Sequence, residues 1–271
     1  MNKAVRWVLI GICVAIFLTS ACFLGKYLTE TLKAVNQFDE LTQIRDQVIV
    51  DVPPEWLEPA PTEPAAADPT ENTEPEEELP PQILPEYAQL YEMNNDMVGW
   101  ITIEGTKIDY PVMQRKEEKD YYLYRDFYGE DNKHGCIYVR EKCDVFAPSD
   151  NVVIYGHRMK DGTMFRSLLQ YDNRSFYNNH TTIIFNTLYE RHTYEIVAVF
   201  KTTATKKGFQ FHMFDDAASE KEFNDFVAKC KELSLYDTGV DAVYGDKLIT
   251  LATCEYSQNE GRLVVVAKRI S

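Results

Sequence analysis

The 271-residue sequence predicts a mainly β domain with helices, an eight-stranded barrel carried at the end of a long N-terminal extension. Three observations predict it. Short runs rich in Val, Ile, Tyr and Thr recur through residues 86–271, punctuated by Gly, Asn and Asp. Eight such runs suffice to close, or nearly close, a sheet on itself. The extension ahead of them has a different composition, so the barrel begins where the prolines end.

Charge separates the parts. The chain has 28 Lys and Arg against 43 Asp and Glu, a net −15. Residues 1–45 hold five basic and three acidic side chains, residues 46–86 hold twelve acidic and none basic, and residues 87–271 hold 23 basic and 28 acidic. The acidity therefore belongs mainly to one short stretch. No basic stripe exists to neutralise phosphates, which excludes a nucleic-acid partner.

Residues 7–24, WVLIGICVAIFLTSACFL, carry no charge. At 1.5 Å per residue a helix of that length covers about 27 Å, close to one hydrocarbon core. With Lys3 and Arg6 before it, residues 1–25 read as a cytoplasmic N-terminus and an uncleaved single-pass anchor, with the rest of the chain outside. A cleaved leader would have a shorter apolar run and a small-residue site. A lipoprotein at Cys22 would have Leu three residues earlier, where Thr19 stands. Residues 26–50 read as a helical stalk. Residues 51–85 hold ten of the twelve prolines and a run of Glu, with almost nothing to bury, and read as a disordered, extended linker.

Within the domain, strands are predicted at 100–103, 107–110, 135–139, 151–155, 181–185, 193–201, 247–253 and 262–270. Helices are predicted at 86–93, 163–171 and 219–233. The last is the best marked: Ser219 and Glu222 form a capping-box pattern, and Phe223, Phe226, Val227 and Cys230 repeat at helical spacing. The six cysteines show no C-x-x-C pair and no zinc-ligand spacing, so neither a metal nor another cofactor is expected. Cys230 reads as a buried hydrophobe and Cys136 as structural, while Cys143 has no assigned role.

Two segments carry chemistry. Asn151-Val-Val-Ile-Tyr-Gly-His157 is a strand that runs into a Gly-His. Leu248-Ile-Thr-Leu-Ala-Thr-Cys254 is a strand that ends in a thiol, and Arg262 opens the next strand. A thiol at a strand end sits on a rigid element yet reaches solvent. A His at another strand end can exchange protons with it and with a leaving amine. The Arg stays protonated and can only stabilise negative charge. These are the parts of acyl transfer through a thioester. Each residue taken singly also has a plain reading, as a core histidine, a packed cysteine or a solvated arginine.

Thr250-Leu251-Ala252-Thr253-Cys254 matches the T-L-x-T-C signature of the sortases, Tyr155-Gly156-His157 with Met164-Phe165 matches their Y-G-H region, and Arg262 matches their arginine. With Asn95-Asp96-Met97-Val98-Gly99-Trp100-Ile101 and Ile108-Asp109-Tyr110-Pro111-Val112, residues 86–271 resemble the class B sortases, membrane-anchored cysteine transpeptidases of Gram-positive bacteria. The resemblance implies a sortase-type barrel with N-terminal helices and a helix in the long loop before the Cys-bearing strand. It implies catalysis by His157, Cys254 and Arg262. It implies peptide contacts from Leu123, from Thr205, Phe209 and Gln210 on the long loop, and from Thr253 and Glu255 beside the nucleophile. It departs from the pattern at Ala252, where many members have Ser, and at Lys119, where a relative has Asn.

The implied partners are a sorting peptide of the N-P-x-T-x type, cleaved after Thr, and an amine of peptidoglycan or a pilin Lys. A cysteine peptidase that transfers to water shares the Cys and His. A non-catalytic surface module needs neither.

Overall fold

Turn residues alternate with β-branched runs to give eight strands in the computed structural model, which describes residues 2–51 and 81–271. Helix α1 (Lys3–Asp51) is followed by α2 (Pro85–Met93), β1 (Met97–Thr102), β2 (Asp109–Met113), β3 (Ile137–Val139) and β4 (Asn151–Tyr155). Then come α3 (Arg174–Tyr177), β5 (Thr182–Thr187), β6 (Thr193–Thr203), α4 (Glu220–Leu233), β7 (Leu248–Cys254) and β8 (Gly261–Arg269). The strands close a barrel in the order β1-β2-β3-β4-β7-β8-β6-β5. Two pairings, β2 with β3 and β4 with β7, are parallel, and the others are antiparallel.

Each predicted run forms a strand, and pairing moves some of the ends. β1 starts earlier and β2 ends later than their composition suggests, because Met97 and Met113 face each other across the ladder. The segment predicted as a helix over 163–171 is instead a 3-10 helix, Phe165–Asp172, followed by α3. The break has a local cause: the Asn173 side chain accepts from the Ser175 amide at 2.8 Å and caps a new helix. α4 follows its pattern. Ser219 Oγ accepts from the Glu222 amide at 3.3 Å, and Glu222 reaches back to the Ala218 amide at 2.9 Å. Its buried face sets Phe226 against Phe214, with ring centroids 4.0 Å apart.

Two compact units divide the chain, residues 1–40 and 41–271. In the first, α1 is long and apolar enough to cross a membrane. Trp7, Phe17 and Phe23 are among its exposed side chains. The Thr19 hydroxyl donates to the Ala15 and Ile16 carbonyls, so the apolar stretch presents no unpaired hydroxyl there. The proline-rich stretch predicted as a linker lies almost wholly outside the described residues.

The C-terminal end of α1 belongs to the second unit, where the sequence suggested only a stalk. Leu41 is fully buried. Arg45 makes two bonds to Asp109, Nη1 to Oδ1 at 2.6 Å and Nη2 to Oδ2 at 3.0 Å. Trp100 Nε1 and Thr102 Oγ1 also donate to Oδ1, at 2.6 and 2.9 Å. The guanidinium lies 4.4 Å from the Trp100 ring centre. Burial disfavours the Asp109 charge, but these donors outweigh it and hold the carboxyl below its usual range. Asp109 therefore adds stability above about pH 4, and that share is lost as pH falls through its lowered pKa. Asp109→Ala should destabilise the barrel by about 1–3 kcal/mol. Asp109→Asn should flatten the loss of thermal stability in acid, and a melting series from neutral pH to pH 3 checks both.

Candidate active site

β4 and β7 run side by side and parallel, with Tyr155 opposite Ala252. His157 lies two residues beyond the first and Cys254 two beyond the second. One register thus brings both side chains to the same rim of the barrel. β8 runs antiparallel to β7 and sets Arg262 opposite Cys254. Three neighbouring strands deliver an imidazole, a thiol and a guanidinium to one place.

Polar bonds fix the rim. Thr253 is buried, and its Oγ1 donates to the Gly156 carbonyl at 2.8 Å. The Gly156 amide donates to the Ala252 carbonyl at 3.3 Å. Gly156 cannot carry a side chain, because a Cβ would overlap Ile137 and Phe165. The hydroxyl of Thr253 is thus engaged in holding the Gly-His turn against the Cys-bearing strand.

His157 Nε2 stands 2.6 Å from the Leu123 carbonyl oxygen. A carbonyl only accepts, so Nε2 carries the proton, and the ring gains or loses its second proton at Nδ1. The Tyr124 ring packs on the imidazole at 5.3 Å. Burial pushes the His157 pKa down, the bond to Leu123 acts against that, and the nearby His134 adds to the lowering. Cys254 is half-buried and free. Arg262 Nη1 donates to the Glu260 and Gly261 carbonyls at 3.3 and 3.0 Å.

A cavity of about 690 Å³ opens over these three residues, a size typical of ligand sites. Leu123 and Thr253 line it with them, as do Lys119, Arg140, Phe211, His212 and Met213. Thr205, Phe209, Gln210 and Glu255 do not line it. Gln210 Nε2 bonds the Thr205 and Gly208 carbonyls at 2.8 and 3.0 Å, closing the root of the loop after β6. The Phe209 ring packs on Phe200 and Phe226, each at 5.8 Å, on the α4 side. The Glu255 carboxylate accepts from the Ser257 amide at 3.0 Å.

The wall residues 211–213 have no spacing pattern that marks them. The available signal was the aromatic run Phe209-Gln-Phe-His-Met-Phe214, unusual for an exposed loop. His212 is held below the usual histidine range by burial, then by the charges of Arg140, Lys119 and Arg262. Among the described residues no group of His, Cys, Asp or Glu could hold a metal ion. Cys136, Cys143 and Cys230 are buried and free.

Residues 101–270 match the sortase domain family. Sortase B of Staphylococcus aureus is 34% identical over 190 residues, covering 69% of this chain and 76% of the relative. Sortase B of Listeria monocytogenes is 34% identical over 193 residues, covering 70% and 76%. Among solved structures, the Staphylococcus aureus sortase B–substrate complex superposes with a TM-score of 0.73 at 27% identity, covering 90% of this chain and 99% of that one.

The buried imidazole gives a titration test. The His157 ring should titrate by NMR with a midpoint below the ordinary value of about 6.5. Between that midpoint and the ordinary value the unfolded chain binds a proton that the folded ring does not, so His157 lowers stability as pH falls through this window. A midpoint at or above the ordinary value would contradict the burial found here.

Proposed function

The chain belongs to the sortase family as a class B sortase, a cysteine transpeptidase, and on that premise we propose that it cleaves a C-terminal sorting signal of the N-P-x-T-x type after the Thr and transfers the acyl group to a peptidoglycan amine. The common rim of β4, β7 and β8 is the observation that carries the reading, since it supports a joint role for His157, Cys254 and Arg262.

The His157 ring keeps a proton on Nε2, bonded to the Leu123 carbonyl, which leaves Nδ1 as the nitrogen that takes up and returns a second one. Cys254 gives its proton to Nδ1, and the thiolate attacks the Thr carbonyl carbon. The oxygen takes up the negative charge beside Arg262, whose Nη1 is bonded to backbone carbonyls, leaving the Nε and Nη2 N–H groups for it. The Glu255 amide donates to the Gly261 carbonyl at 2.8 Å, so that amide is already engaged in the turn before Arg262. Collapse breaks the C–N bond, and His157 returns the proton to the leaving amine. The incoming amine then attacks the thioester, loses its proton to His157 and releases the thiolate.

The sorting peptide lies in the groove with Leu123 and Thr253 beside the scissile bond, and Phe211, His212 and Met213 form its wall. Thr205, Phe209 and Gln210 frame that wall, and Glu255 shapes the turn before Arg262. The complex of the Staphylococcus aureus enzyme with its substrate supports the groove as a peptide site. Residues 7–24 anchor the chain once, with the N-terminus inside and the catalytic domain outside. Tethering raises its effective concentration toward substrates held at the same surface.

N-P-x-T-x peptides incubated with and without an amine acceptor test the reading. The expected result is cleavage after Thr and a new amide when the amine is present. Hydrolysis alone would make the protein a peptidase, and activity only toward a pilin Lys would make it a pilin polymerase. Cys254→Ala should abolish cleavage with the fold retained. Arg262→Lys should lower kcat by about a hundredfold, because Lys lacks the planar fork.

A further inference from the structure

Two chain segments meet at the imidazole of His157. Residues 121–136 carry the Leu123 carbonyl, and residues 157–165 begin with His157 itself. They are joined at a second point that the reaction does not use. His134 Nε2 lies 2.7 Å from Asp161 Oδ2. His134 is 3% exposed, and its Nδ1 is buried with no hydrogen-bond partner. Buried polar groups are normally satisfied, so a histidine bound through one nitrogen alone needs a reason.

Both partners are held in place. Thr163 donates to Asp161 Oδ1 from its hydroxyl at 2.6 Å and its amide at 3.0 Å. On the same loop the Phe165 amide donates to the His157 carbonyl at 2.9 Å, and Arg158 bridges Met164. On the other segment the His134 amide donates to Asn132 Oδ1 at 2.9 Å, and the Cys136 amide to the Tyr122 carbonyl at 3.0 Å. Gly135 lies between them with φ +58°, and a Cβ there would overlap the Leu123 and Tyr122 carbonyls. The carbonyl that accepts from His157 thus rests against the residue next to His134.

We propose that His134 and Asp161 are positioning residues for His157: their bond holds the two segments at the separation that keeps the Leu123 carbonyl on Nε2, which fixes the tautomer and leaves Nδ1 for proton exchange. Neither residue lines the cavity over Cys254. The kinetic half of the test rests on the transpeptidase reading, and the spectroscopic half does not.

The full chain in detergent micelles, labelled at the histidine nitrogens, supplies both readouts. The wild-type His157 ring should show a single Nε2–H tautomer at a pH where it is neutral. His134→Ala and Asp161→Ala should turn this into a mixture of tautomers. They should also lower kcat by about tenfold to a hundredfold, with KM changed less than about twofold. The double variant should be no worse than the weaker single one, since the pair acts as a unit.

Only Nε2 of His134 is used. His134→Gln, whose amide nitrogen reaches the same position, should therefore keep most of the kcat and the single tautomer. His134→Asn, whose amide falls at the Nδ1 position, should behave like His134→Ala. An unchanged tautomer in the alanine variants overturns the proposal, as does a loss of kcat that His134→Gln does not relieve. If the wild-type protein transfers no acyl group, the function fails, and the tautomer signal still decides the positioning role. Should the alanine variants not fold, Gln against Asn decides it.

Discussion

The parallel pairing of β4 with β7 is the constraint on which the site depends. In an antiparallel pair, the ends that carry His157 and Cys254 would lie at opposite rims. A parallel pair puts both C-terminal ends together but requires a long connection. Here that connection holds α3, β5, β6 and α4, so much of the domain lies between the imidazole and the thiol in sequence. Register matters as much as direction. A slip of one residue would turn Cys254 to the opposite face of the sheet and separate it from Arg262. β7 is buried along its whole length except at Cys254, which makes such a slip costly.

Around this frame, backbone groups serve as much of the site as side chains do. The Leu123 carbonyl sets the protonation of His157, the Gly156 carbonyl holds Thr253, and the Glu260 and Gly261 carbonyls hold one nitrogen of Arg262. Each bond removes a freedom that these side chains would otherwise have, so the rim is organised in advance of any ligand. The groove wall follows the same logic at lower precision. Phe209 and Phe214 pack on Phe226 of α4, and the stretch between them is held over the cavity by that aromatic contact.

The N-terminal extension joins two kinds of physics in one helix. Its first part exposes apolar side chains suited to lipid, while its last turns bury Leu41 and bond Arg45 to Asp109 within the catalytic unit. Trp100 serves both ends of that contact, as a donor to Asp109 and as a ring beneath the guanidinium.

The sequence by itself determined the eight strands, the capped helix over 219–233, the apolar segment over 7–24 and the motifs that carry His157, Cys254 and Arg262. All of these rest on local patterns: alternation within a run, a cap within one turn, an uncharged stretch, or a motif of a few residues. Only the tertiary structure decided that the Leu123 carbonyl accepts from His157, that residues 211–213 line the groove while 205 and 209–210 brace it, that the end of α1 docks on the barrel, and that His134 meets Asp161. Each of these joins residues distant in sequence or depends on which way a loop turns, and no local period records that. Strand periodicity is written in neighbours two residues apart, whereas Arg45 and Asp109 become neighbours only when the barrel closes.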